Sequence, residues 1–156
     1  MRSISGFIAA GLLAAGTALS PLAAADPYEA DPDLAKTDAD YAAGKKAVDR
    51  KDWAEAVRLF ELSEKRHPDH ADLQNILGYS YRNQKNYDLA FKHYERALQI
   101  DPRHRGAHEY IGETYLLVGD VAGAEKHLAA LKEICLLPCD ELKDLDRAIV
   151  EYRRTK

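Results

Sequence analysis

From residue 37 the chain repeats itself every 34 residues, and no gap is needed to align the copies. The blocks are "TDADYAAGKKAVDRKDWAEAVRLFELSEKRHPDH" (37–70), "ADLQNILGYSYRNQKNYDLAFKHYERALQIDPRH" (71–104) and "RGAHEYIGETYLLVGDVAGAEKHLAALKEICLLP" (105–138). Gly44, Gly78 and Gly112 share one register; Ala56, Ala90 and Ala124 share another. Small residues that recur in register let neighbouring helices approach, while Tyr81, Tyr115, Phe60, Tyr94 and Leu128 fill the space between. A unit of this size cannot bury its apolar face alone, so successive copies must stack.

Each block reads as two antiparallel helices. In block two, Leu89, Ala90, Tyr94, Ala97 and Leu98 follow helical rather than strand spacing. The turns "RKDW", "QKNY" and "VGDV" place Asp52, Asn86 and Asp120 where a side-chain oxygen caps the second helix. Gly119 suits the left-handed residue that ends a first helix, and Pro68 and Pro102 stop the second helices of blocks one and two. After the third block, "DELKDLDRAIVEYRR" sets Leu142, Leu145, Ile149 and Tyr152 on one helical face. Residues 139–156 are therefore expected to cap the open end of the stack.

The pattern over residues 37–138 resembles the tetratricopeptide repeat (TPR). The resemblance implies an all-α fold, a right-handed superhelix of three helical hairpins plus the C-terminal capping helix. Departures from the pattern are Asp40, Gln74 and His108 in place of an early aromatic, Ser63 and Leu131 in place of alanine, and Leu136 in place of a terminal proline. The family binds protein or peptide partners in a concave groove lined by the first helices. Carried onto this chain, the groove residues are Tyr41, Lys45, Asn75, Tyr79, Arg82, Asn83, Glu109, Glu113 and Leu116. Lys45 and Arg82 would then receive an acidic group, and the glutamates a basic one further along. TPR domains that grip the carboxy-terminal tails of cytosolic chaperones use a Lys/Asn clamp. Its places hold Tyr41, Lys45, Ile76, Gly106 and Tyr110 here, so that mode is not expected.

Residues 1–25 have the form of a secretory signal peptide: Arg2, an apolar run from Ile4 to Leu19, and small residues at Ala23–Ala25. Residues 26–36, acidic and with two prolines, read as a flexible lead-in. Export to a bacterial periplasm is the expectation, with no stable membrane span after processing. With 26 acidic residues against 22 basic ones and no basic face, nucleic acid is not an expected partner.

An oxidising compartment favours a disulfide between Cys135 and Cys139, the only two cysteines. Pro138 between them breaks the helix, so the pair would clip the third hairpin to the cap. A redox pair would call for CxxC before a helix in a strand-helix-strand unit, and a metal site for more ligands. A thiol- or metal-handling envelope protein built on these cysteines is the alternative function. The whole chain also looks like small exported bacterial TPR proteins with such a CxxxC turn. His67 with His70, and His104 with His108, are expected as solvated surface pairs. Glu109 and Glu113, one turn apart, read as a solvated carboxylate pair, and Ser63 near His67 lacks a nucleophile turn. No catalytic residue, cofactor or metal site is expected. The leading reading is a non-catalytic periplasmic scaffold, an adaptor in envelope assembly. Self-association through exposed hairpin faces is a third.

Overall fold

The computed structural model describes residues 32–156, so the expected signal peptide at 1–25 and the first part of the expected lead-in, 26–31, lie outside the described residues. Eight helices follow in order: α1 (Pro32–Thr37), α2 (Ala39–Asp49), α3 (Trp53–Glu64), α4 (Ala71–Asn83), α5 (Tyr87–Ile100), α6 (Arg105–Leu117), α7 (Val121–Ile134) and α8 (Asp140–Arg154). They pair as the hairpins α2/α3, α4/α5 and α6/α7, each stacking on the next, and α8 packs across both α6 and α7. The lead-in needs correcting over its last residues. Residues 32–37 form α1, and Leu34 is buried in the same apolar cluster as Tyr41 and Phe60.

Each hairpin turn is built the same way. Asp52, Asn86 and Asp120 accept the backbone N–H of Glu55, Leu89 and Gly123, capping the second helices as expected. Ahead of each cap the first helix closes in a Schellman motif. The N–H groups of Asp52, Asn86 and Asp120 reach back to the carbonyls of Ala47, Tyr81 and Tyr115. The motif needs one left-handed residue, and it falls on Lys51 (φ 57°), Lys85 (φ 63°) and Gly119 (φ 87°). A side chain there crowds its own backbone, at a cost of roughly 1–2 kcal/mol. Lys85→Gly is therefore expected to raise stability, by about 0.5–1 kcal/mol after the added freedom of the unfolded chain is deducted. Chemical denaturation would read this as a higher midpoint at unchanged slope, with Gly119→Lys moving the other way.

Packing follows the small residues. A methyl group on Gly44 would sit 2.5 Å from the Phe60 ring, and one on Gly78 would sit 2.6 Å from the Tyr94 ring. At the end of the stack the partner changes: Gly112 faces Leu145 of α8, not a residue of its own hairpin. Leu145 and Ile149 are buried with Leu116, Leu128 and Leu131, a second core that exists only because α8 covers it.

Cys135 ends α7, Cys139 precedes α8, and the two are joined in a disulfide with Cα atoms 5.9 Å apart. Closing so short a loop contributes roughly 2 kcal/mol in the chain-entropy model. It fixes the entry to α8, whose N-cap, Cys139, makes no side-chain capping hydrogen bond.

Polar groups stitch the hairpins together where an early aromatic is missing. Gln74 donates to the Pro68 carbonyl at 3.2 Å, and its amide oxygen meets Nδ1 of His93 at 2.8 Å. One repeat on, His108 Nε2 meets the Pro102 carbonyl at 3.1 Å, and its Nδ1 meets Nδ1 of His127 at 2.9 Å. A carbonyl only accepts, so His108 carries its proton on Nε2 and His127 donates from Nδ1, as His93 does to Gln74. In the first repeat the same job falls to Asp38 and Asp40, both held by Arg66. Ser63 donates to Asp38 at 3.2 Å, and His67 meets the same carboxylate at 3.1 Å. That network draws the Asp38 carboxyl well below the usual range, through the Arg66 hydrogen bonds first. The expected surface pair His104/His108 is thus corrected, because both rings are buried. His104 Nδ1 caps α6 by accepting from Ala107, and its Nε2 lies 2.9 Å from Asp72.

Candidate partner-binding groove

The inner face of the superhelix is made by α2, α4 and α6, with α8 standing beside α6 as a fourth wall. Two openings run end to end over α6. The larger, about 920 Å³, lies between the C-terminal ends of α4, α6 and α8, with Arg82, Asn83, Leu116, Leu117, Val118 and Tyr152 among its lining. The smaller, about 370 Å³, lies between α6 and α8 and is lined by Glu109, Glu113, Asp144, Arg147, Ala148 and Glu151. Glu113, Ala148 and Glu151 belong to both, so the trough is continuous.

Beside the trough the hairpins pack on one another through aromatic rings, while the rings that line the larger opening itself are Tyr87 and Tyr152. Tyr79 lies between Trp53 (5.8 Å, edge-on) and Tyr110 (5.1 Å), and Phe91 packs on Tyr115 at 4.7 Å. The Arg82 guanidinium sits 5.4 Å from the centres of both the Tyr79 and Tyr110 rings. The two rings hold the guanidinium in place at the edge of the larger opening. Asn83 is half-buried and spends its amide N–H on the Tyr79 carbonyl, 2.8 Å away.

Several groove residues read from the sequence sit elsewhere or act differently. Tyr41 is 0% exposed, with its ring 5.6 Å from Phe60; it is a core residue. Asn75 is buried too, and its Oδ1 has no hydrogen-bond partner among the described residues. Leu116 is mostly consumed by the terminal core and shows only its edge to the larger opening. Lys45 is half-buried on α2, in the first repeat, while both openings lie over α6. Arg82 is not waiting for a partner's acid, because Glu113 already holds it.

The glutamates change most. Instead of a solvated pair, Glu109 is only 9% exposed. Burial pushes its carboxyl up to about 8, with Glu113, Asp144 and Glu141 adding to the rise and Arg82 opposing it. At neutral pH it therefore keeps its proton. The residues that the sequence reading missed are those of α8: Asp144, Arg147, Glu151 and Tyr152 all face the trough. The signal was present in the repeat register, since α8 follows α7 as each first helix follows the hairpin before it. Among the described residues no group of three or more His, Cys, Asp or Glu side chains is placed to hold a metal ion, and no helix is long and apolar enough to cross a membrane.

Comparison with known proteins agrees with the geometry. Two tetratricopeptide repeat models match, over residues 41–105 and 81–134. Human protein O-mannosyl-transferase TMTC3 is 30% identical over 83 residues, 53% of this chain and 9% of that protein. The mouse protein of the same name is 34% identical over 64 residues, 41% of this chain and 7% of that one. The chain thus spans less than a tenth of those relatives' length. Among solved structures, the crystal structure of the Yersinia enterocolitica type III secretion translocator chaperone SycD (alternative dimer) superposes with a TM-score of 0.66. At 19% identity, over 80% of this chain and 92% of that one, it shares the fold. With its repeats in register, its hairpins stacked and its family models matched, this chain belongs to the tetratricopeptide repeat family.

Proposed function

We propose that this chain is a non-catalytic scaffold that holds an extended segment of a protein partner along its inner face, working as an adaptor in the bacterial periplasm. The observation that carries the reading is the continuous trough over α6, open to solvent along its length. A trough of that form suits an extended chain better than a compact small molecule, because its two openings lie end to end. The repeat fold is itself a protein-binding scaffold. Export is supported by the charged, apolar and small-residue order of residues 1–25, and by a disulfide that suits an oxidising compartment.

Site-specific photo-crosslinking in intact cells of a Gram-negative host tests both parts of the reading. A benzophenone side chain at Asn83, in the trough, is expected to trap a protein partner found in the periplasmic fraction. The same group at Lys92, exposed on α5, is expected to trap none. Equal trapping at both positions would refute the groove, and a trapped complex confined to the cytosol would refute the location.

A further inference from the structure

The smaller opening of the trough holds four carboxylates, Glu109, Glu113, Asp144 and Glu151, against one guanidinium, Arg147. Arg147 is spent on Asp144, and Arg82, which reaches in from α4, is spent on Glu113. Further along α8, Glu141 pairs with Arg105 at 3.5 Å. Glu109 and Glu151 have no hydrogen-bond or ion-pair partner among the described residues. Of the two, Glu151 is exposed, while Glu109 is more than nine-tenths buried at the wall of the opening. A buried carboxyl without a partner is costly, and folding alone gives no reason to hold one at the wall of a cavity. A partner that brings its own positive charge removes the cost.

Resting on the groove reading above, we propose that the opening between α6 and α8 is a subsite for a lysine or arginine side chain of the bound segment, and that Glu109 is the carboxylate that pairs with it. In the free protein Glu109 carries a proton. When the cation enters, the O–H bond breaks, the proton leaves to solvent, and a carboxylate–cation pair remains. Binding at neutral pH is thus coupled to release of one proton. The adjoining larger opening exposes Leu117 and Val118, so an apolar residue beside the basic one completes the recognised pair. Every charged group facing Glu109 bears on the coupling. Glu113 on the same helix and Glu141, Asp144 and Glu151 on α8 favour the incoming cation, while Arg82 on α4 and Arg147 on α8 oppose it.

The test is selection of peptides from a random heptapeptide display library on the oxidised full chain at pH 8.5. The native protein is expected to enrich a basic residue next to an apolar one about tenfold over library frequency. Glu109→Gln, a neutral mimic of the protonated acid, is expected to keep the apolar preference and lose the basic one. For one synthetic peptide so selected, affinity for the native chain should rise about fivefold from pH 7 to pH 8 and about tenfold by pH 9, levelling off above. Calorimetry of that peptide near pH 7, in two buffers of different ionisation enthalpy, should show about one proton released, a readout that needs no variant. Enriched peptides lacking a basic residue, or binding without proton release, would overturn the subsite and leave the groove standing. If no peptide were enriched at all, the groove reading would fail, and the subsite with it.

Discussion

Gly78→Ala is expected to cost about 3 kcal/mol, the upper end of what one surplus methyl group does in a packed interior. The added carbon would lie 2.6 Å from both Cδ1 and Cε1 of Tyr94, inside any real contact distance. The ring has nowhere to go. Tyr94 has no exposed surface and packs against Tyr110 on the far side, with ring centres 6.4 Å apart. The remaining relief is to part α4 from α5, which opens the core along both helices. Two neighbouring substitutions calibrate the claim. At Gly112 the same methyl meets the branched tip of Leu145 at 2.6 and 2.8 Å; that side chain is buried too, but its rotatable tip gives way more readily than a ring, so about 1–2 kcal/mol is expected. At Gly106 its one tight approach is to the Asn75 side-chain amide, at 3.1 Å, with the His104 ring at an ordinary 3.6 Å, and the effect should be small. Equilibrium denaturation of the three variants should rank them in that order. A Gly78→Ala protein as stable as Gly106→Ala would mean that the repeated glycines do not set the helix spacing.

That ranking also marks what was legible in the sequence. The repeated glycines, alanines and cap residues announce the hairpins, because close packing and orphan N–H groups impose the same demand in every copy. The turn at Gly119 was visible for the same reason. Its counterparts Lys51 and Lys85 were not, since nothing about a lysine signals a left-handed backbone. The cysteine clip was readable from the proline between its ends. The groove was read less well, because burial at a repeat position depends on what stacks over it. Tyr41, Asn75 and Glu109 occupy one register, yet Tyr41 is sealed into the core, while Glu109 ends at the wall of an acidic opening that α8 creates. One helix's spacing cannot report a neighbour that arrives 30 residues later. The polar stitches hid in plain view: Gln74 and His108 share a register, as do His93 and His127, and each pair faces across a hairpin.

The stability of this protein should respond to pH through two buried groups of opposite sign. His127 is held down to about 4, by burial and then by His108 and Lys126. Its free value is 6.5, so the unfolded chain binds more protons between pH 6.5 and 4, and stability falls as pH drops through that window. The full span is worth about 3 kcal/mol. The geometry agrees: His127 already donates from Nδ1 to His108, so a second proton would go on Nε2, which has no hydrogen-bond partner among the described residues. Glu109 works the other way. Raised from 4.5 to about 8, it holds its proton in the folded chain while the unfolded chain sheds it, so stability falls as pH rises from 4.5 to 8. Between about pH 4.5 and 6.5 the two slopes oppose, and burial holds His93 and His108 below their ordinary value as well, so on balance acidification should cost the native protein stability there. Single variants separate them. His127→Asn keeps a donor near the His108 nitrogen but cannot take up a proton. It should be less stable than the native chain at pH 7 and recover about 3 kcal/mol relative to it by pH 4. Glu109→Gln should be the more stable protein at pH 8, by about 3–4 kcal/mol, with the gain vanishing below pH 4.5. Denaturation midpoints at pH 4, 6 and 8 decide the matter. Parallel curves for all three proteins would mean that neither group titrates differently in the fold, and would remove the physical basis for a proton-coupled groove.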